Sequence, residues 1–164
     1  MVGSIVVSKF IQLKNAPFAV LEEGIHEFSL QDFKEMFVYN DVRVKQYIGL
    51  IAAIINLKEA GCPAIYLDGS YVTQKPVPGD YDACVDYTGV DFGILDPVFT
   101  TFDNQRQAQK EKYEGEFFPH HIEADRIGTI FIDFFQKEKH SGGRKGIIKL
   151  DLTNIDLVEL GGAQ

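Results

Sequence analysis

The stretch LDGSYVTQKPVPGDYDACVD, residues Leu67 to Asp86, decides how the rest of this chain is arranged. Its pattern predicts the end of a strand, a turn at Gly69-Ser70, a proline-punctuated connection and a second strand that opens at Asp80. Side chains alternate faces along a strand, so Asp80 and Asp82 point the same way, about 7 Å apart. Two carboxylates at that distance repel by about 2 kcal/mol at an effective dielectric of roughly 20, and Asp is depleted in strands. The pair is therefore better explained by a bound cation than by strand propensity.

The residue types of this stretch suit a divalent cation together with a phosphate. Hard dications such as Mg²⁺ or Mn²⁺ take carboxylate oxygens, and Mg²⁺ usually keeps open positions for phosphate oxygens. Gly69 lets a ligand approach the backbone closely, and the Ser70 hydroxyl with neighbouring amides can hold phosphate oxygens. Lys75 lies in the connection, where it can reach a phosphate, although an exposed loop lysine is usually only solvated.

Length and composition predict one domain spanning residues 1–164. The chain is 45% hydrophobic and 24% charged, values typical of a globular domain with its own core. No apolar run is long enough to span a bilayer, and the first seven residues lack the pattern of a signal peptide. Cys62 and Cys84 form neither a disulfide framework nor a zinc set. We therefore expect a cytoplasmic protein without a membrane partner.

The net charge of −8 argues against broad nonspecific binding to nucleic acid, because that affinity comes from neutralising phosphates. One segment departs from this acidic balance. Six basic residues cluster around a glycine-rich turn: Lys137, Lys139, His140, Arg144, Lys145 and Lys149. A solvated hairpin tip is the favoured interpretation of this segment, and a specific RNA-binding site is the alternative.

Apolar spacing and turn residues predict an α+β fold. Ser29 can cap a helix that begins at Leu30, and an apolar stripe at helical spacing predicts a longer helix over roughly residues 42–60. Short strands are predicted over residues 64–67 and 81–87. Residues 1–28 are interpreted as a short strand or an extended arm. The expected architecture is a mixed β-sheet with helices packed mainly on one face.

A third carboxylate is predicted from a pair of strands near the end of the chain. Gly128–Lys137 and Gly146–Leu152 are interpreted as two strands of a hairpin. Asp133 stands within the first, apolar strand, and a buried carboxylate needs a partner. It would have one if this strand lay beside residues 81–87 and carried Asp133 to the same cation. Asp151 is the alternative, and Asp133 is favoured because the run around it is more apolar.

The polar segment between these strands offers two further candidates. Asp96-Pro97 can open a helix that continues through Tyr113. Arg106 and Lys110 are four residues apart, so they share one helical face. That face either borders the site and clamps phosphates, or is solvated with its charges paired to Glu111, Glu114 or Glu116.

Gly69-Ser70, nine intervening residues and then Asp80 and Asp82 at the head of a strand resemble the signature of the polymerase-β-like nucleotidyltransferase superfamily. From about Gly24 onward the chain is also similar to an uncharacterised bacterial family of small, single-domain nucleotidyltransferase-like proteins. The resemblance implies a palm-like mixed sheet, a triphosphate held at the Gly-Ser turn, and Mg²⁺ (or Mn²⁺) held by Asp80, Asp82 and Asp133. Asp68 departs from the signature, which usually has an apolar residue there; it either adds charge at the rim of the pocket or is solvated.

The resemblance implies a metal-dependent nucleotidyltransferase that moves a nucleoside monophosphate from a nucleoside triphosphate to a hydroxyl acceptor and releases pyrophosphate. Asp80, Asp82 and Asp133 would be catalytic, and five residues would bind the nucleotide: Gly69, Ser70, Lys75, Arg106 and Lys110. A protein, an RNA and a small molecule all stay open as acceptors, and a partner protein or a homodimer is a further expectation. The alternative is a catalytically weak or inactive nucleotidyltransferase-fold module that binds a nucleotide or a partner protein. By analogy with small relatives in toxin–antitoxin pairs, such a module would be antitoxin-like.

Overall fold

The computed structural model describes residues 9–121, 129–156 and 160. These residues form seven strands and four α-helices. In chain order they are β1 (Phe10–Ile11), β2 (Val20–Leu21), β3 (Gly24–Phe28), α1 (Leu30–Phe37), α2 (Asp41–Glu59), β4 (Ala64–Asp68), β5 (Tyr81–Val85), α3 (Asp103–Tyr113), β6 (Gly115–Pro119), α4 (Phe131–Phe134) and β7 (Gly146–Asp151). No helix in the described ranges is long and apolar enough to cross a membrane.

Five of the strands form one mixed sheet in the order β3-β7-β4-β5-β6, while β1 and β2 pair separately. β3 is parallel to β7, and β5 is parallel to β6. β4 runs antiparallel to both of its neighbours, β5 and β7. The prediction of an α+β fold with a mixed sheet is confirmed, and β7, the last of the five in sequence, lies between strands that precede it in the chain.

The two predicted helices at the start of the chain are confirmed, and side chains cap both. The Ser29 hydroxyl accepts a hydrogen bond from the Asp32 amide at 3.0 Å, which satisfies one of the free amides of α1. The Asn40 side chain does the same for the Arg43 amide of α2 at 2.9 Å. Helix α2 contributes Leu50, among others, to the core.

The sheet has one face in the core and one face that carries the carboxylates. Core-facing residues from four strands pack with α1 and α2; among them are Ile65, Leu67, Tyr81, Ala83, Val85, Phe117, Ile148 and Leu150. The alternate positions point the other way. There, Asp68 on β4 is opposite Asp82 on β5, and Asp82 is opposite Glu116 on β6. Three carboxyl groups therefore lie in one row across three strands.

The predicted strand over Gly128–Lys137 is wrong. Residues 122–128 lie outside the described ranges, and Phe131–Phe134 form helix α4. The run TIFIDFFQ places aromatic side chains at positions 131, 134 and 135, a helical spacing. Phe131 and Phe135 stack on each other and also contact Phe118. A short apolar run fits either element by propensity, and here aromatic packing on one side favours the helix. The following strand is confirmed as β7.

Two differences concern the polar segment after β5. The helix predicted from Pro97 to Tyr113 is divided into a 3₁₀ turn, Pro97–Thr100, and helix α3. Asn104, Gln105 and Arg106, near the start of α3, have φ of 52°, 58° and 61°, so α3 begins with a left-handed turn. Strand β6 was not predicted; its sequence, GEFFP, follows directly on the helix.

A candidate metal and phosphate site

Three carboxylates meet at the edge of the acidic row. Asp80 precedes β5, Asp82 lies within it, and Glu116 lies on the neighbouring strand β6. One carboxylate oxygen from each of the three lies within 4.8 Å of the other two. Oxygen donors alone, at this density, suit a hard dication such as Mg²⁺ or Mn²⁺. The donor set therefore fits a divalent metal ion.

The electrostatics of this group also favour a cation. Burial, together with Glu116, raises the pKa of Asp80 to about 6. Burial, followed by the charges of Asp80 and Glu116, raises the pKa of Asp82 to about 7. Each charge added to the group makes the next ionisation harder, because like charges at short range repel. A bound dication would reverse this effect and bring both pKa values down.

A fourth acid, Asp68, lies beneath the group and was misjudged from the sequence. It is fully buried rather than at a solvated rim, and burial followed by the charge of Asp82 raises its pKa well above the usual value. The Cys84 thiol donates to Asp68 Oδ2 at 3.6 Å. Asp68 Oδ1 has no hydrogen-bond partner among the described residues. A buried carboxylate oxygen without a partner is costly, so burial favours the neutral form of Asp68.

The turn between β4 and β5 is shaped around Asp82. Gly69 has φ of 77°, and a Cβ at this position would collide with Asp82 Oδ2. Two independent features therefore favour glycine at position 69: the positive φ of the backbone and the close approach of the Asp82 carboxylate. Ser70 follows and begins a 3₁₀ turn, Ser70–Val72, which the Thr73 hydroxyl closes by donating to the Ser70 carbonyl at 2.7 Å.

Arg43, buried on α2, holds the connection that follows this turn. Its guanidinium donates to the carbonyls of Phe37, Tyr71, Thr73 and Lys75, at distances of 3.0, 2.7, 3.1 and 2.6 Å respectively. Three of these carbonyls belong to the segment that leads from Ser70 to Lys75. A single side chain thus fixes the path of that segment.

A cavity of about 540 Å³ opens over the carboxylates. Gly69, Ser70, Asp80 and Asp82 form one part of its lining. Basic side chains form a second part: Lys75, Lys137, Lys139, His140 and Lys145. Pro17, Phe18, Phe134 and Phe135 contribute an apolar wall. The basic segment does form a hairpin, with a bridge between Lys137 and Arg144, and Lys137, Lys139 and His140 are exposed; four of its six basic residues also line this cavity.

Five of the predicted site residues line the cavity together: Gly69, Ser70, Lys75, Asp80 and Asp82. Asp133 does not; it is exposed on α4 and lies outside the carboxylate group, so its interpretation as a buried strand carboxylate is wrong. Asp151 pairs with Ala64 at the far end of β4 and accepts hydrogen bonds from Thr153. The third carboxylate of the group is Glu116 instead.

Arg106 and Lys110 lie beside the carboxylates rather than in the lining of the cavity. Lys110 Nζ is 3.6 Å from Glu116 Oε1, so the expected pairing with Glu116 is present and it also brings this helix face to the carboxylate group. The Arg106 guanidinium is 4.0 Å from the centre of the Phe118 ring, and its Nε donates to the Phe117 carbonyl at 3.1 Å. Both residues contribute positive charge near the site, and neither is shown to bind a ligand.

Glu116 is the residue that sequence reasoning missed. It appeared only as an ion-pair partner for the helix, because the segment around it was interpreted as polar connection. A weak signal was present: Glu116 is followed by Phe117 and Phe118, and a charged residue beside aromatic residues in a run of strand length indicates a strand with one buried face. The pairing of β6 with β5, which gives Glu116 its place, has no local signature.

The sequence model of one protein family matches residues 14–151, from before β2 to the end of β7. The family is described as a family of unknown function (DUF6932). The match includes the Gly-Ser turn, all four acids and the basic residues that line the cavity. No curated protein matches the chain, and no solved structure matches it.

Proposed function

The chain belongs to the DUF6932 family, whose function is unknown, and we propose that it is a metal-dependent nucleotidyltransferase. One observation carries the proposal. Asp80, Asp82 and Glu116 bring their oxygens together, and Asp80 and Asp82 line a cavity with the glycine-serine turn and several lysines. Acids alone would suit a simple cation site, whereas acids facing lysines suit a cation that bridges to a polyanion.

In the proposed reaction, an acceptor hydroxyl attacks the α-phosphorus of a nucleoside triphosphate. The new bond joins the acceptor oxygen to phosphorus and the hydroxyl proton passes to a carboxylate of the group. The bond to the bridging oxygen breaks, and pyrophosphate leaves with that electron pair. Gly69 and Ser70 hold the terminal phosphates, while Lys75 and Lys145 offset their charge. A Mg²⁺ or Mn²⁺ ion held by the three carboxylates would stabilise the attacking and leaving oxygens. The acceptor is a protein, an RNA or a small molecule.

The metal site is tested by titrating Mn²⁺ into the wild type and into single variants by calorimetry. Asp82→Asn and Glu116→Gln each remove one charged ligand, so we expect the affinity for Mn²⁺ to fall at least about tenfold in both. Asp133→Asn is the matched control, because it removes the same charge from an exposed position. Wild-type affinity in Glu116→Gln, or a loss in Asp133→Asn, would contradict the assignment of the third ligand.

A second candidate function is a module that binds a nucleotide, or a partner protein as antitoxins do, without turnover. The Lys110–Glu116 ion pair favours it, because a lysine already partly neutralises the third acid without a metal. Pyrophosphate release from Mg-nucleotides in the presence of candidate acceptors separates the two. Binding with no release across protein, RNA and small-molecule acceptors would favour the module. Release that disappears in Asp82→Asn would establish the enzyme.

A further inference from the structure

We propose that Phe134 and Phe18 form the binding site for the base of the nucleotide, by stacking on its flat face. The inference rests on the proposed function, because it assigns the part of the ligand that the carboxylates and lysines do not contact. It adds a residue-level account of how one cavity distinguishes a nucleotide from a simple polyphosphate.

The lining of the cavity combines charged and aromatic side chains, which suits a ligand with a charged part and a flat apolar part. Ser70, Asp80, Asp82 and the lysines are its polar members, and Phe18, Phe134 and Phe135 are its aromatic members. A volume of about 540 Å³ lies in the range of roughly 300–1,000 Å³ that is usual for small-molecule sites. A polyphosphate alone would leave the aromatic members without a contact.

Phe134 is held in place while part of its surface stays accessible. Its ring meets Phe135 edge-on, with centroids 5.5 Å apart and an interplanar angle of 85°, and it meets Phe131 in the same way at 6.5 Å. Phe135 in turn packs on Phe118 of β6, with ring centroids 5.0 Å apart. The Phe134 residue is nevertheless 38% exposed. An aromatic side chain that packs against neighbouring rings, lines the cavity and remains partly exposed can stack on a flat ligand.

Phe18 is an aromatic residue of the lining that lies beside a basic one. It lies in the loop between β1 and β2, and Lys75 Nζ is 6.0 Å from the centre of its ring. Lys75 is also close enough to Asp80 to lower the pKa of that carboxyl, against the larger effect of burial. Lys75 therefore places a cation that can bind phosphate next to the Phe18 ring, so the charged and aromatic parts of one ligand can be bound side by side.

Stacking on phenylalanine predicts a particular pattern of selectivity. Every base has a π-face, so stacking tolerates all bases, and larger purines gain more contact than pyrimidines. The probes are the Mn²⁺ complexes of inorganic tripolyphosphate, ATP and UTP, titrated into the full chain. We expect ATP to bind about 10- to 100-fold more tightly than tripolyphosphate, with UTP between them.

Phe134→Leu keeps an apolar side chain of similar bulk and removes the ring. We expect it to reduce the advantage of ATP over tripolyphosphate by at least about fivefold, while the affinity for tripolyphosphate stays at the wild-type value and shows that the variant is folded. Phe18→Leu should act in the same direction. Phe92→Leu is the control, because Phe92 is 59% exposed but does not line the cavity.

The outcomes separate the base site from the phosphate site. If tripolyphosphate bound to the wild type as tightly as ATP, or if both cavity variants kept the full preference for ATP, the base site would be overturned and the phosphate site would stand. If neither ligand bound with Mn²⁺, the proposed function would fall and this inference with it. A preference for ATP that is lost in Phe134→Leu and kept in Phe92→Leu would support the base site.

Discussion

Asp82 lies between two other carboxyl groups, and this position makes the stability of the metal-free protein depend on pH. Its pKa is raised from 3.8 to about 7, first by burial and then by Asp80 and Glu116. Between these values the folded chain binds more protons than the unfolded chain, so the free energy of unfolding falls as pH rises from about 4 to 7. Below about pH 4 both states hold the proton, and the favourable contribution is fully present.

Asp82→Asn removes the ionisation that causes this loss. With a chelator present at pH 8, we expect the variant to be more stable than the wild type by about 4 kcal/mol, or roughly 8–16 °C in Tm. The difference should disappear at pH 4. Scanning calorimetry at the two pH values measures both. A variant that is less stable than the wild type at pH 8 would contradict this expectation. It would show that contacts of the ionised Asp82 carboxylate stabilise the fold by more than its burial costs.

The glycine at the turn gives a second prediction for single residues. Gly69→Ala introduces a Cβ against Asp82 Oδ2 in addition to an unfavourable φ, so it should disturb the carboxylate as well as the backbone. We expect a loss of about 2–4 kcal/mol in stability and a loss of Mn²⁺ affinity. Gly89→Ala is the matched control, since its φ of 75° is similar and no atom lies within 4 Å of the added Cβ.

In that control we expect only the backbone cost, about 1 kcal/mol, with unchanged Mn²⁺ affinity. Tm and calorimetric titration of the two variants provide the comparison. Equal effects in both would mean that the contact between Gly69 and Asp82 has no part in the site.

At the residue scale, the sequence predicts those site residues that lie close together along the chain. Gly69, Ser70, Asp80 and Asp82 stand within one short stretch, so their alternation and turn chemistry bring them to one cavity. Glu116 depends on which strand lies beside β5, and strand pairing between distant segments leaves no local mark. The preference for Asp133 followed from taking its run as a strand, and it failed once the run proved helical.

Among the elements, α2 has a buried arginine that organises the connection to the site. Arg43 donates to four backbone carbonyls and lies between the rings of Tyr39 and Tyr71, 4.7 and 4.6 Å from their centres. Arg43→Met would leave those carbonyls without donors in a buried place, at a cost of about 3–5 kcal/mol in stability.

Chemical denaturation measures this cost, and Lys45→Met on the same helix is the control. The Lys45 side chain is 75% exposed, in an ion pair with Glu114 at 3.7 Å, so its loss should cost under about 1 kcal/mol. Arg43→Lys retains the charge without the planar fork of donors and should restore only part of the stability. Full stability in Arg43→Met would contradict the role given to this side chain.

Elements with caps, turn residues or long periodic patterns could be predicted, whereas α4 and β6 could not. Helices α1 and α2 follow from Ser29, Asn40 and their apolar spacing. Helix α4 and strand β6 are four or five residues long, and over such lengths an apolar run is compatible with either element. Their states are decided by the contacts of Phe118 with Phe131 and Phe135, which join the two elements to each other.

For the whole molecule, a ligand that binds only the folded state must raise its stability. Mn²⁺ with ATP at about 100 times their dissociation constant should add about 2.7 kcal/mol, which is roughly 5–10 °C in Tm. Differential scanning fluorimetry with increasing ligand measures the shift. Glu116→Gln should show a much smaller shift at the same concentrations, and an equal shift would place the ligand elsewhere on the molecule.

The position of β7 has a consequence for how the protein is made. On the ribosome, β3, β4 and β5 emerge well before the strand that must fill the gap between the first two. Until then, β3 and β4 each expose an unpaired edge, and Asp68 and Asp82 lack the nearby charge of Lys145. The sheet is therefore completed late in synthesis. The same late segment brings the positive charge of Lys145 close to Asp68 and Asp82. A nascent chain stalled before Gly146 would expose unpaired strand edges next to carboxylates that repel each other. We expect such a chain to aggregate unless a chaperone binds the exposed strands.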